Sequence, residues 1–224
     1  MSWFTVQVDK KGCSPSCVTA VRILEAAYRS CNEFHGLYKT SRRRKSGNST
    51  DAEEDLLRAM LLFAASGLDS VVKQLIRRCL QPVVEQSEEA RSRLEKTVAR
   101  RLRKGDQIDE KLLAALLVSD SHFATSVAVV RDSLLSSSMQ ATSQLSAVAE
   151  LFSVSPRDIV EDYNQLNEIF RERNHIAHEM DVDLDQPNRS RRQRPQDTYA
   201  EWSGALLSIA ERFIQQVDKK LKAT

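Results

Sequence analysis

Arg173, Asn174 and His178 fall close together in the run Glu172-Arg173-Asn174-His175-Ile176-Ala177-His178-Glu179. An arginine presents a planar cationic fork suited to a phosphate, a histidine exchanges a proton near neutral pH, and an asparagine both donates and accepts hydrogen bonds. Side chains of these types suit phosphoryl chemistry. Turning about 100° per residue from Arg173 puts Ile159, Tyr163, Leu166, Ile169, Phe170, Ile176, Ala177 and Met180 within roughly 60° of the centre of one helical face. Arg173 lies inside that apolar face, and no other apolar stripe in the chain is expected to carry a charge. A guanidinium drawn out of water is costly unless an anion meets it. A bound phosphate would serve, as would a buried carboxylate such as Glu161 or Glu168. Asn174 and His178, four residues apart, stack on one flank of the stripe, about 40° from each other. His175, near 200° on the same wheel, faces away and takes no chemical role.

The helix carrying this run is expected to open at Ser155 as N-cap, with Pro156 at its first position and Asp158 in its first turn. It should fray after His178, where Glu179, Asp181, Asp183 and Asp185 alternate with apolar residues and Pro187 follows. A basic loop with Arg189, Arg191, Arg192 and Arg194 comes next. Asp197 then caps a last helix with Trp202, Leu206, Ile209, Phe213, Val217 and Leu221 as its seam.

Upstream, Trp3 to Val8 is the one strand-like stretch, and Ser16 to Tyr38 reads as a helix. Arg42, Arg43, Arg44 and Lys45 form a second basic run in a Ser/Gly setting, either a solvated loop or an RNA-backbone contact. Thr50 with Glu53 makes a capping box for a long apolar helix ended by Pro82, in which Gly67 allows close packing or a bend. Ser87 to Lys104 is a charged helix. Its terminal Arg100, Arg101, Arg103 and Lys104 answer the helix dipole. Gly105-Asp106 to Asp109 is the best internal boundary, giving an N-terminal helical region, 1–104, that is separate from or continuous with a bundle over 105–224. Residues 111–118 and 122–135 are two helical pieces or one broken near Ser119-Asp120-Ser121, and a further helix starts at Ser136 and runs through Phe152. His122 is expected to pack or cap locally.

With 224 residues, 41% of them hydrophobic, the chain can bury a sizeable core. Only 6 Gly and 5 Pro among long Ala/Leu/Glu/Arg/Gln-rich windows point to an all-α protein. The net charge of +2 comes from 33 basic against 31 acidic residues, so any footprint for nucleic acid must be local. Cys13, Cys17, Cys31 and Cys79 lack metal-ligand spacing and read as free thiols. Apolar runs break before the ~20 residues of a membrane span, and no signal peptide is evident, so a soluble cytoplasmic protein without membrane contact is expected. His175, His178 and Glu179, with Asp181 and Asp183 beyond, offer metal ligands, but their order is not that of a zincin helix, and no metal or other cofactor is expected. Phosphate-binding, nucleophile-elbow and dinucleotide glycine motifs are missing from the sequence.

The run Arg173-Asn174-His175-Ile176-Ala177-His178 resembles the HEPN superfamily, above all its branch of ribonuclease toxins called RiboL-PSP-HEPN. The likeness covers about 155–180, extends plausibly over 108–222, and has no support before that. It implies an all-α bundle that dimerises through the motif-bearing helix and cuts RNA without a metal, with Arg173, Asn174 and His178 as catalytic residues. Two copies of the motif would face each other across one cleft. It further implies a toxin held by an antitoxin or another regulatory protein, or an antiviral effector. Arg42, Arg43, Arg44, Arg189, Arg191, Arg192 and Arg194 would touch only the RNA backbone. From another functional class, a non-catalytic helical module binding a protein or nucleotide is the competing expectation.

Overall fold

The computed structural model describes residues 4–8, 11–43, 47–104 and 107–223. Its centre is α2 (Asp51–Gln86), which starts on the expected capping box: the Glu53 amide donates to Thr50 Oγ1 at 3.3 Å and the Thr50 amide to Glu53 Oε2 at 2.9 Å. The helix does not end at Pro82. Val83 and Val84 just beyond are buried, and their packing holds the chain helical to Gln86 despite the hydrogen bond that proline removes. α1 (Val18–Arg42) follows a 3-10 turn, Pro15–Cys17, and lies along α2. Gly67 settles there as a close-packing residue, since a Cβ in its place would come within 2.5 Å of the Ala27 Cβ.

α3 (Glu88–Leu102) opens on Ser87, whose hydroxyl accepts from the Ala90 amide at 3.2 Å. After it, β1 (Arg103–Lys104) and β2 (Gln107–Ile108) pair antiparallel as a short ribbon, with Arg103 opposite Ile108. Gly105 and Asp106, proposed as a boundary, lie outside the described residues. Then come α4 (Glu110–Val118) and α5 (His122–Ser136), two helices rather than one. His122 braces the joint through its Nδ1, 2.5 Å from the Leu116 carbonyl oxygen. Ser136 closes α5 instead of opening the next helix, which is α6 (Thr142–Leu151). The connection between them is pinned by the Met139 amide, which donates to Asp69 Oδ1 at 2.7 Å. α7 (Tyr163–Glu179) and α8 (Gln196–Lys222) complete the bundle, with Asp197 inside the first turn of α8 rather than capping it.

One core runs through both halves of the chain, from Phe4 to Val217, because α2 packs against α1 on one side and against α5, α7 and α8 on others. The expected α8 seam is buried at Trp202, Leu206, Ile209, Phe213 and Val217. Over its described residues, 4–8, the strand-like opening is no strand, and Trp3 lies outside them. Phe4 exchanges backbone hydrogen bonds with the Asn32 side chain at 3.1 and 2.8 Å, fixing this extended piece to α1, while its ring meets Tyr28 edge-on. Among the described residues, α2 alone is long and apolar enough to cross a membrane, and over half of its most apolar window is buried within the bundle. All four cysteines are free thiols.

Candidate functional site

The helix that carries Arg173 begins later than its sequence suggests. Pro156–Asp158 is a 3-10 turn without a side-chain cap from Ser155, and α7 starts at Tyr163, where Asp162 accepts from the amides of Asn164 and Gln165 at 2.8 and 3.0 Å. Ile159 and Val160 are buried, but as a loop rather than a first helical turn, with the Ile159 carbonyl accepting from Arg212 at 3.3 Å. Within α7 the stripe holds at Leu166, Ile169, Phe170 and Ile176. Ala177 and Met180 are exposed, so the apolar face stops one turn early.

Arg173 is half-buried in this stripe, facing α2. Its Nη1 donates to Asn174 Oδ1 at 3.1 Å, and its buried Nε has no partner. Neither carboxylate considered for it arrives: Glu161 pairs with Arg212 at 3.0 Å, and Glu168 is exposed. Burial pulls the Arg173 guanidinium below its ordinary pKa, and the charge of Asp69 on α2 only partly offsets this. Asp69 is itself committed to Lys73 and to the Met139 amide.

Asn174 and His178 are exposed beside it. They share a flank with Tyr163 and Asn167, which about two to four turns earlier meet α6: Tyr163 OH lies 3.4 Å from Ser146 Oγ, and Thr142 donates to Asn167 at 2.9 Å. α6 therefore covers the start of the flank and leaves its last turns, with the polar pair, open. His175 turns to the opposite flank and pairs with Glu179, Nδ1 to Oε2 at 2.8 Å.

That opposite flank adjoins an ionic cluster that sequence reasoning missed. α7 ends with two successive left-handed residues, Met180 and Asp181 (φ 52° and 60°), whose amides both turn back to the His175 carbonyl. The turn drives Asp181 to complete burial. There its carboxylate receives Arg194 through both terminal nitrogens, at 2.8 and 2.9 Å, and Arg58 Nε at 2.8 Å. Arg194 also reaches Glu172 and the Tyr199 hydroxyl, while Arg58 reaches Glu54 at 2.9 Å and Asp55 at 3.1 Å. Burial pushes the Asp181 carboxyl up, but the hydrogen bonds from Arg194 and Arg58 outweigh it and hold the group below the ordinary carboxylate range. Burial acts on Glu172 the same way and is likewise outweighed, chiefly by Arg194. Glu54 goes the other way, raised because its burial exceeds the help of Arg58.

Arg58 overturns the expectation that only the Arg173 stripe carries a charge. Set on a wheel about Leu61, both Glu54 and Arg58 fall inside the apolar face of α2, and Arg58 is only 2% exposed. The signal was therefore present: an acidic and a basic residue at i and i+4 within an apolar stripe.

The two basic loops prove largely committed to the fold. Arg194 sits in the cluster. Arg191 pairs with Asp55 at 2.6 Å and donates to the Met180 carbonyl, and Arg192 donates to the Val182 carbonyl at 3.0 Å near Glu179 and Asp183. Arg42 closes its own loop on the carbonyls of Gly47 and Asn48 and on Glu53. Arg43 and Arg189 are exposed, and Arg44 lies outside the described residues. Among the described residues, no group of three or more His, Cys, Asp and Glu side chains is gathered as a metal site. No family model matches the chain, and no match was found among curated proteins or solved structures.

Proposed function

We propose that the chain is a metal-independent endoribonuclease of HEPN type. One observation carries the reading. Arg173 is drawn out of water with no carboxylate in hydrogen-bond contact, next to the exposed Asn174 and His178, whereas Arg58 and Arg194 are matched by carboxylates and Arg91, whose buried Nε is likewise without a partner, stacks its guanidinium over Phe123 at 5.5 Å. A guanidinium left in that condition is set to receive an anion. The ribose 2′-hydroxyl attacks the adjacent phosphorus and the 5′-oxygen leaves. His178 takes the 2′-proton or returns one to the leaving oxygen, Arg173 stabilises charge on the phosphoryl oxygens, and Asn174 holds the hydroxyl or a phosphate oxygen. The three side chains occupy an open surface rather than a cavity, which suits a cleft completed by α7 of a second copy. A toxin under an antitoxin, or an antiviral effector, is the matching biological setting.

A second reading, a non-catalytic interaction module, draws on α4, in which no residue of described burial is buried and Leu117 and Val118 are 70% and 84% exposed. Labelled RNA incubated with the purified protein in EDTA separates the two. The ribonuclease reading expects cleavage by the wild type and none by His178→Ala, with helical content unchanged because His178 is exposed. Cleavage by the variant at the wild-type rate removes His178 from the mechanism, and intact RNA in both samples favours the module.

A further inference from the structure

Because Arg42, Arg191, Arg192 and Arg194 of the basic loops are tied to carboxylates and carbonyls, further cations for an RNA backbone are to be sought elsewhere, and α3 offers them. This helix buries only Ala90, Leu94 and Val98. Arg93, Lys96 and Arg100 follow one another at i, i+3 and i+7 along a single face, rising about 4.5 and then about 6 Å along the axis. They form one wall of a groove of about 960 Å³, closed on the other side by Leu134 of α5 and Leu151 of α6. The two acidic residues at its edge, Glu89 and Glu150, both lie toward Arg93, at 2.9 and 3.9 Å. Lys96 and Arg100 are exposed, and among the described residues no carboxylate pairs with either.

We infer that this groove between α3, α5 and α6 is a binding site for single-stranded RNA, with phosphates on Lys96 and Arg100 and sugars against the aliphatic floor. The choice of RNA as the polyanion rests on the ribonuclease reading. No aromatic side chain lines the groove, so it grips the backbone without stacking bases and without sequence preference. α6 packs on α3 and on α7, so a single helix, about 10 Å across, separates the groove from the flank bearing Asn174 and His178. A strand of a few nucleotides spans that distance.

The test is fluorescence anisotropy with the full chain and a 2′-O-methyl oligouridine of roughly 12 nucleotides, which lacks the attacking hydroxyl, titrated between about 50 and about 200 mM salt. Lys96→Gln/Arg100→Gln is expected to weaken binding about tenfold and to lower the slope of log affinity against log salt by about 1.4, roughly 0.7 for each phosphate no longer neutralised. Arg43→Gln/Arg189→Gln, which neutralises the exposed loop arginines, should change both quantities by clearly less than the groove variant does. The inference is overturned if the wild type does not bind the oligonucleotide, if the groove variant binds as the wild type does, or if the loop variant loses as much. Displacement of the oligonucleotide by poly-glutamate at lower charge concentration than by unlabelled oligouridine assigns the groove to an acidic protein instead. Unmodified RNA left intact in EDTA while the groove variant still loses affinity sinks the catalytic reading and leaves the groove standing.

Discussion

Arg58 and Arg194 leave water against carboxylates, whereas Arg173 leaves water against none. The first two report on stability. Asp181→Asn removes the charge on which both converge, leaving two buried guanidinium groups under-compensated, and is expected to cost roughly 3–5 kcal/mol in a urea melt. The same carboxyl is held below its unfolded value, near 3.9. Its contribution is therefore fully present above about pH 4 and is lost as the pH falls through the depressed native value. Stability measured against pH should drop in that acid window for the wild type and drop less for Asp181→Asn, and equal acid sensitivity in both would argue against the cluster as its source. The cluster was hidden from the sequence because Asp181 follows a helix end in an acidic run that reads as solvated, and its partner Arg58 stands 123 positions away. Arg173 was legible because a helical wheel is enough to set a lone charge in an apolar stripe.

Among the elements, helices announced by caps and periodicity were the ones the sequence located well. The Thr50–Glu53 box started α2 where expected, and the α8 seam is buried as spaced up to Val217, with Leu221 half-buried. What misled were residues whose usual meaning was overridden by packing. Pro82 did not stop α2 because the buried Val83 and Val84 follow it, and Ser155-Pro156 began only a 3-10 turn because Asp162 caps α7 instead. Gly67 could be read either way until α1 lay beside it. Alanine is the better helix former by about 1 kcal/mol, yet Gly67→Ala is expected to destabilise by about 1–3 kcal/mol, since its methyl would meet Ala27 at 2.5 Å. A stabilised variant in thermal or urea unfolding would mean that α1 and α2 separate easily.

On the scale of the whole molecule, the sequence supported an all-helical chain, and the described residues are helical apart from one short ribbon and the loops. The last turns of α7 carry a half-buried guanidinium without an ion-pair partner beside a flank that α6 leaves open, and the proposed symmetric contact between two such flanks would make one cleft from two copies of Arg173, Asn174 and His178. Light scattering at micromolar concentration should return the mass of a dimer, and a monomeric mass alongside RNA cleavage would restrict the chemistry to one chain. The central claim of the proposed function is that the 2′-hydroxyl is the nucleophile, needing neither metal nor water in the first step. Mapping the ends of RNA fragments produced in EDTA tests it most directly. Cleavage is expected undiminished, leaving a 2′,3′-cyclic phosphate and a 5′-hydroxyl, with DNA untouched; a 3′-hydroxyl and 5′-phosphate, or activity that disappears with the chelator, would contradict the proposed mechanism.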